Sequence, residues 1–162
     1  MIKKVISGGQ TGVDQAGLLA ANYVGIPTGG WAPWNWMTEK GERREALEKL
    51  GLKADRYDAK TYPIRTESNI NAADGTLIIT CGIESPGTKF TETVCKRNRA
   101  HCYKVIDYKS NVAVLEVVEW IKDHRIKILN VAGPRESKIG RITKEEVINF
   151  MIKVLKGANR ES

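Results

Sequence analysis

The run Gly75-Thr76-Leu77-Ile78-Ile79-Thr80 is apolar on consecutive positions. A strand with one wet face alternates polar and apolar residues. A continuous run predicts a strand covered on both sides, as in a parallel sheet. A parallel sheet needs crossover helices, and these follow in the sequence. Leu18, Leu19, Ala20, Ala21 and Val24 recur at helical spacing up to Gly25, and Val114, Leu115, Val118 and Ile121 mark a helix over 112–122. Strands are expected at 5–7, 26–31, 103–107 and 126–132, with a further helix over 89–98. Thr143 and Glu146 form a capping-box pattern ahead of a last helix carrying Val147, Ile148, Phe150, Met151, Val154 and Leu155. Strands and helices alternate throughout. The fold class is therefore α/β: a Rossmann-like three-layer sandwich with a mostly parallel sheet and helices on both faces.

The chain has 162 residues, which fits one domain over 1–162. Residues 32–63 differ in character. They carry Trp34, Trp36, a charged run over 39–44 and a short helical pattern through Leu47 and Leu50. They hold too few apolar residues for a core of their own, so they read as an elaboration of the domain. Residues 64–73 read as a polar loop leading into a short helix.

No apolar run reaches the roughly 20 residues of a membrane span. The N-terminal apolar stretch is too short for a signal peptide, so a cytoplasmic location is expected. The three cysteines, Cys81, Cys95 and Cys102, form no CxxC pair. With His101 and His124 they complete no metal-ligand spacing, and no intrinsic metal site is expected. The net charge of +7 suits an anionic ligand. Its cations are dispersed, the densest cluster being Lys96-Arg97-Asn98-Arg99. No recognisable nucleic-acid module accompanies them, so a solvated surface is the expectation.

In an open parallel sheet the ligand crevice lies beyond the carboxyl ends of the strands. Three loops fall there. In Ser7-Gly8-Gly9-Gln10-Thr11-Gly12, the glycines let backbone N–H groups approach an anion. Gln10 and Thr11 add donors, and Asp14 either caps the next helix or faces a ligand hydroxyl or amine. The spacing matches neither GxGxxG nor GxxxxGK[ST]. The second loop places Ser85, Gly87, Thr88 and Thr91 where a helix begins, a second anion site. The third places Arg135 after a buried strand, either on a phosphate or carboxylate of the ligand or in a surface ion pair. Arg65 is a similar candidate. Trp31, Trp34 and Trp36 either stack on a heterocycle or pack the elaboration. No nucleophile–base pairing stands out; Glu84 and Glu92 are the carboxylates placed for acid–base work.

Five segments in order resemble one family: Gly8-Gly9-Gln10-Thr11-Gly12-Val13-Asp14, Gly29-Gly30-Trp31-Ala32-Pro33, Arg65-Thr66-Glu67-Ser68-Asn69, Asp74-Gly75-Thr76-Leu77-Ile78 and Ser85-Pro86-Gly87-Thr88-Lys89-Phe90-Thr91. The family is that of the molybdenum cofactor carrier proteins, within the SLOG superfamily of Rossmann-like domains. The resemblance spans about residues 1–155. It implies a homo-oligomer (dimer or tetramer) that carries or stores a phosphorylated, nucleotide-like small molecule, molybdenum cofactor above all. The expected binding residues are then Gly8, Gly9, Gln10, Thr11, Gly12, Asp14, Arg65, Ser85, Gly87, Thr88, Thr91 and Arg135. The superfamily also resembles the lysine-decarboxylase-like phosphoribohydrolases, which implies an alternative, a nucleotide N-glycosidase using Glu84 or Glu92; a nucleotide-signal sensor is a third reading. The hydrolase signature PGGxGTxxE, with Gly87-Thr88 on its Gly-Thr, puts Thr91 where the catalytic Glu belongs. Glu92 stands one residue later, on another side of the helix.

Overall fold

A computed structural model describes residues 1–54, 62–82, 85–98, 101–108, 112–140 and 142–160. The main sheet has six parallel strands: β1 (Lys4–Ile6), β2 (Thr28–Ala32), β5 (Leu52–Ala54), β6 (Gly75–Thr80), β7 (Cys102–Asp107) and β8 (Ile128–Ala132). Their order is β5-β2-β1-β8-β6-β7, so the last strand sits in the middle, between the first and β6.

The helices are α1 (Val13–Tyr23), α2 (Arg44–Lys49), α3 (Tyr62–Ala72), α4 (Pro86–Arg97), α5 (Val112–Asp123) and α6 (Lys144–Ala158). Period-two geometry on β6 divides them. Leu77 and Ile79 enter a core with Val13, Ala16 and Ala20 of α1, Val117 and Ile121 of α5, and Val147, Met151 and Leu155 of α6. Ile78 points the other way, onto Ile70 of α3 and Val94 and Cys95 of α4. The Rossmann-like sandwich expected from the apolar run is thus present, with helices on both faces. Thr143 caps α6 as anticipated: Glu146 N–H donates to its Oγ1 at 3.2 Å, and Thr143 N–H donates to Glu146 Oε2 at 2.8 Å. Among the described residues no helix is long and apolar enough to cross a membrane.

Two local expectations need correction. Residues 64–73 are not a loop leading to a short helix; α3 runs from Tyr62 to Ala72. Its apolar periodicity is weak because polar residues stand beside Ile70 among its buried side chains: Arg65 and Asn69, one turn apart, are only 4% and 3% exposed. Asn69 earns its burial by hydrogen-bonding both Trp31 N and Trp31 O, at 2.9 and 3.1 Å. Likewise Pro86, Gly87 and Thr88 are no loop but the first turn of α4, with Pro86 in the opening position that tolerates it.

The segment over 32–63 splits in use. The strands β3 (Met37–Thr38) and β4 (Gly41–Glu42) form a small antiparallel hairpin. Leu47 of α2, Leu52 and Trp36 pack with Leu18 and Ala32 in a third cluster. β5 then joins the main sheet beside β2. Residues 55–61 lie outside the described residues.

The chain ends meet. Ile2 N–H donates to Asn159 Oδ1 at 2.7 Å, and Asn159 Nδ2 donates back to Ile2 O at 3.3 Å.

Candidate functional site

A cleft of about 280 Å³ opens at the carboxyl ends of β1, β6 and β8. It lies where the strand order reverses, the position expected of a ligand crevice in such a sheet. Gly8, Gln10 and Asp14 contribute from the first loop, Ser85, Gly87, Thr88 and Thr91 from α4 and its cap, Arg65 from α3, and Arg135 from the loop after β8. Asn69, Asn130 and Lys138 line it as well. Nine of the residues proposed from the sequence therefore share one cleft.

Gly9, Thr11 and Gly12 are not among its lining residues. A Cβ on Gly9 would meet Leu52 at 2.8 Å, so this glycine admits the third apolar cluster. Gly12 has φ 83°, and a Cβ there would meet Pro134 O at 2.4 Å and Glu136 N at 2.6 Å. Its bareness lets the loop over 133–138 lie directly against the start of α1. The loop's own N–H groups are largely used inside the protein. Gly9 N donates to Ser7 Oγ, Gln10 N to Asp14 Oδ2, Thr11 N to Gln10 Oε1 and Val13 N to Pro134 O. The first loop is thus a braced turn more than an open anion cradle.

Donors without partners sit at α4. Among the described residues, the N–H groups of Gly87 and Thr88 in its first turn make no hydrogen bond, and Ser85 makes no side-chain cap. Thr88 Oγ1 is buried without a partner. These groups coincide with the positive end of the α4 dipole. Thr91 Oγ1 instead donates to Gly87 O at 3.1 Å.

Asp14 and Arg65 meet over Gly8. A Cβ on Gly8 would lie 3.1 Å from Asp14 Oδ2 and 3.3 Å from Arg65 Cζ. Arg65 Nη1 donates to Gly8 O at 3.0 Å. Asp14 is in the first turn of α1 but does not cap it; Gly12 holds the cap position. Burial pushes the Asp14 carboxyl up to about 6, although the Arg65 charge and backbone N–H groups of Gln10 and Gly133 pull the other way.

Arg135 resolves toward an ion pair while still lining the cleft. Its Nε lies 3.3 Å from Glu39 Oε2. Glu39, in the β3–β4 turn, also accepts from Thr11 Oγ1 at 3.0 Å, from Ser137 N at 2.9 Å and from Ser137 Oγ. The Ser137 hydroxyl, chiefly, holds the Glu39 carboxyl below its ordinary range. Lys40 adds an ion pair to Glu136. The hairpin is thereby tied across two of the three cleft loops. Nothing in the sequence singles out Glu39, because its partners Thr11 and Ser137 lie 28 and 98 residues away, in loops that only the fold brings to it.

The remaining candidates lie elsewhere. Glu92 pairs with Lys96 at 3.4 Å and does not line the cleft. Glu84, like Arg99, is outside the described residues. None of the three tryptophans lines the cleft; Trp36 is buried beneath Arg44, and Trp34 is exposed. Among the described residues no three His, Cys, Asp or Glu side chains gather to hold a metal ion.

A parallel sheet with its crevice at the reversal of strand order defines a Rossmann-like α/β domain. The chain belongs to the circularly permutated YpsA SLOG family, whose model matches residues 5–155. The central placement of β8 and the joined chain ends are what a permuted Rossmann-like order requires. The chain is also similar to a crystal structure from Syntrophus aciditrophicus SB named "Putative molybdenum carrier protein". The two share 33% identity with a TM-score of 0.81, covering 98% of this chain and 96% of that one. A comparison with curated proteins gives no match.

Proposed function

We propose that the chain binds a phosphorylated, nucleotide-like small molecule in the cleft over β1, β6 and β8, and that it serves as a carrier or storage protein for molybdenum cofactor. The observation that carries this reading is the set of unpartnered donors at the start of α4, facing a cleft with a buried guanidinium at Arg65. Gly87, Thr88 and Ser85 would hold the phosphate, with Arg65 and Lys138 supplying charge. Gly8, Gln10 and Asp14 would contact the rest of the ligand; Gly9, Thr11 and Gly12 would shape the loop that presents them. The name of the similar structure supports molybdenum as the cargo. The metal would arrive inside its cofactor, as substrate of transport. A homo-oligomer is part of this reading.

Glu92, one of the two carboxylates considered for N-glycosidase chemistry, pairs with Lys96 and does not line the cleft, which supports the binding reading. The test is a blocked cleft. Gly87 is exposed, and a Cβ there has only Ser85 Oγ near it, at 3.9 Å. Gly87→Trp should therefore fold normally and fill the phosphate end. Wild type is expected to gain thermal stability with molybdenum cofactor or nucleoside monophosphates, and Gly87→Trp is expected to lose the gain. An equal shift in both proteins would place the ligand elsewhere.

A further inference from the structure

The α1 and β8 side of the cleft is made of hydrogen-bond acceptors. Asn130 on β8 is 3% exposed. Its Nδ2 donates to Thr76 Oγ1 at 3.3 Å, and Thr76 Oγ1 lies 2.8 Å from His101 Nε2. Burial lowers the His101 titration range, which favours a neutral ring beside Thr76. The Thr76 oxygen accepts from Asn130 Nδ2. The amide is held with its NH₂ inward, and Asn130 Oδ1, without a partner among the described residues, is the atom offered to the cleft.

Asp14 is the second acceptor. A carboxylate has about four acceptor positions. The backbone N–H of Gln10 takes one, at 3.4 Å, which leaves room for a pair of donors from a ligand. Gly133, three residues after Asn130, lines the same cleft as Asp14, and its backbone N–H favours the charged form of the Asp14 carboxyl. These two acceptors suit the donor-bearing part of an anionic ligand.

We propose that Asp14 and Asn130 read two adjacent N–H donors on a flat ring, the N–H/NH₂ edge of a 2-amino-4-oxo pyrimidine that guanine and pterins share. This orients the ligand with its phosphate at α4, and it rests on the binding reading given above. Adenine turns a lone pair toward the carboxylate at the matching position, and hypoxanthine lacks the amino group. A bidentate donor pair is worth about 1–3 kcal/mol of discrimination, or roughly tenfold to hundredfold in Kd.

The experiment is titration calorimetry of the full chain with GMP, neopterin monophosphate, IMP and AMP. GMP and neopterin monophosphate should bind about tenfold tighter than IMP, and AMP should be weakest. Comparing the first two tells which ring is the natural source of the edge. In Asp14→Asn the preference should collapse to within about threefold while AMP affinity holds, a change in selectivity that general loosening would not produce. Asn130→Ser should narrow it partway. Equal Kd values for GMP, neopterin monophosphate and AMP in wild type, or selectivity intact in both variants, would overturn the assignment. If none of the four ligands binds, the reading of the cleft itself fails, and this inference with it.

Discussion

Glu39 Oε2 and Arg135 Nε stand 3.3 Å apart, joining the tip of a hairpin to the loop that leaves the central strand. The same carboxylate holds Thr11 and Ser137, so one side chain ties the first loop to the third. Glu39→Gln keeps the shape and removes the charge. It should lower Tm by about 3 °C at neutral pH, the scale of one lost charge-assisted contact in a domain of this size. Because the Glu39 carboxyl sits below its ordinary range, its contribution is present above that range and is lost as pH falls through the folded value. The Tm difference between wild type and Glu39→Gln should therefore shrink in acid, as followed by circular dichroism.

Asp14 should act in the opposite sense. Its carboxyl titrates at about 6 in the fold against an ordinary 3.8. The folded state holds the proton more tightly, so this group favours folding most below about 4, and its support is lost as pH rises to about 6. The gap corresponds to something on the order of 3 kcal/mol. Asp14→Asn cannot ionise. Without ligand, its Tm should exceed that of wild type at pH 7.5 and approach it near pH 4. A constant difference across that range would show that Asp14 is not titrating where its burial places it.

Two glycines with similar backbone angles should differ sharply. Gly12 and Gly25 have φ of 83° and 80°. A Cβ on Gly12 would run into Pro134 and Glu136, whereas one on Gly25 would meet nothing within 4 Å. Gly25→Ala should cost about 1 kcal/mol in urea denaturation, the ordinary penalty of a left-handed residue. Gly12→Ala should cost well over twice as much or prevent folding.

The clasp of Ile2 and Asn159 makes the chain ends interchangeable with a loop. A permutant that opens between α5 and β8 and joins the old ends by a short flexible linker should fold to the same sheet. Its far-ultraviolet circular dichroism and urea midpoint should stay near those of wild type. In the unpermuted protein, Asn159→Ala removes both clasp bonds and should cost roughly 1–2 kcal/mol.

The sheet was legible because its pattern is apolar and local. The run over 75–80 announces burial on both faces, and β6 is covered by different helices on each. α3 was poorly legible, because Arg65 and Asn69 share its buried side with Ile70 and break up the hydrophobic signal. Glycines, serines and threonines marked three loops that do converge. Their division of labour was hidden. Gly12 faces another loop and Thr11 faces Glu39, facts of long-range packing that no local pattern encodes. Asn130 lies inside an apolar strand and carries no local signal of a role; its partner Thr76 is brought beside it only by the sheet register.

The central claim is that the cleft over β1, β6 and β8 holds a phosphorylated heterocycle. The most direct measurement is mass spectrometry of the small molecule released by denaturing freshly purified protein, with molybdenum determined on the same sample and Gly87→Trp run in parallel. The expected result is a phosphorus-containing ring compound accompanied by molybdenum from wild type, and neither from Gly87→Trp. The same compound retained at equal yield by Gly87→Trp, or a released molecule without phosphate, would contradict it.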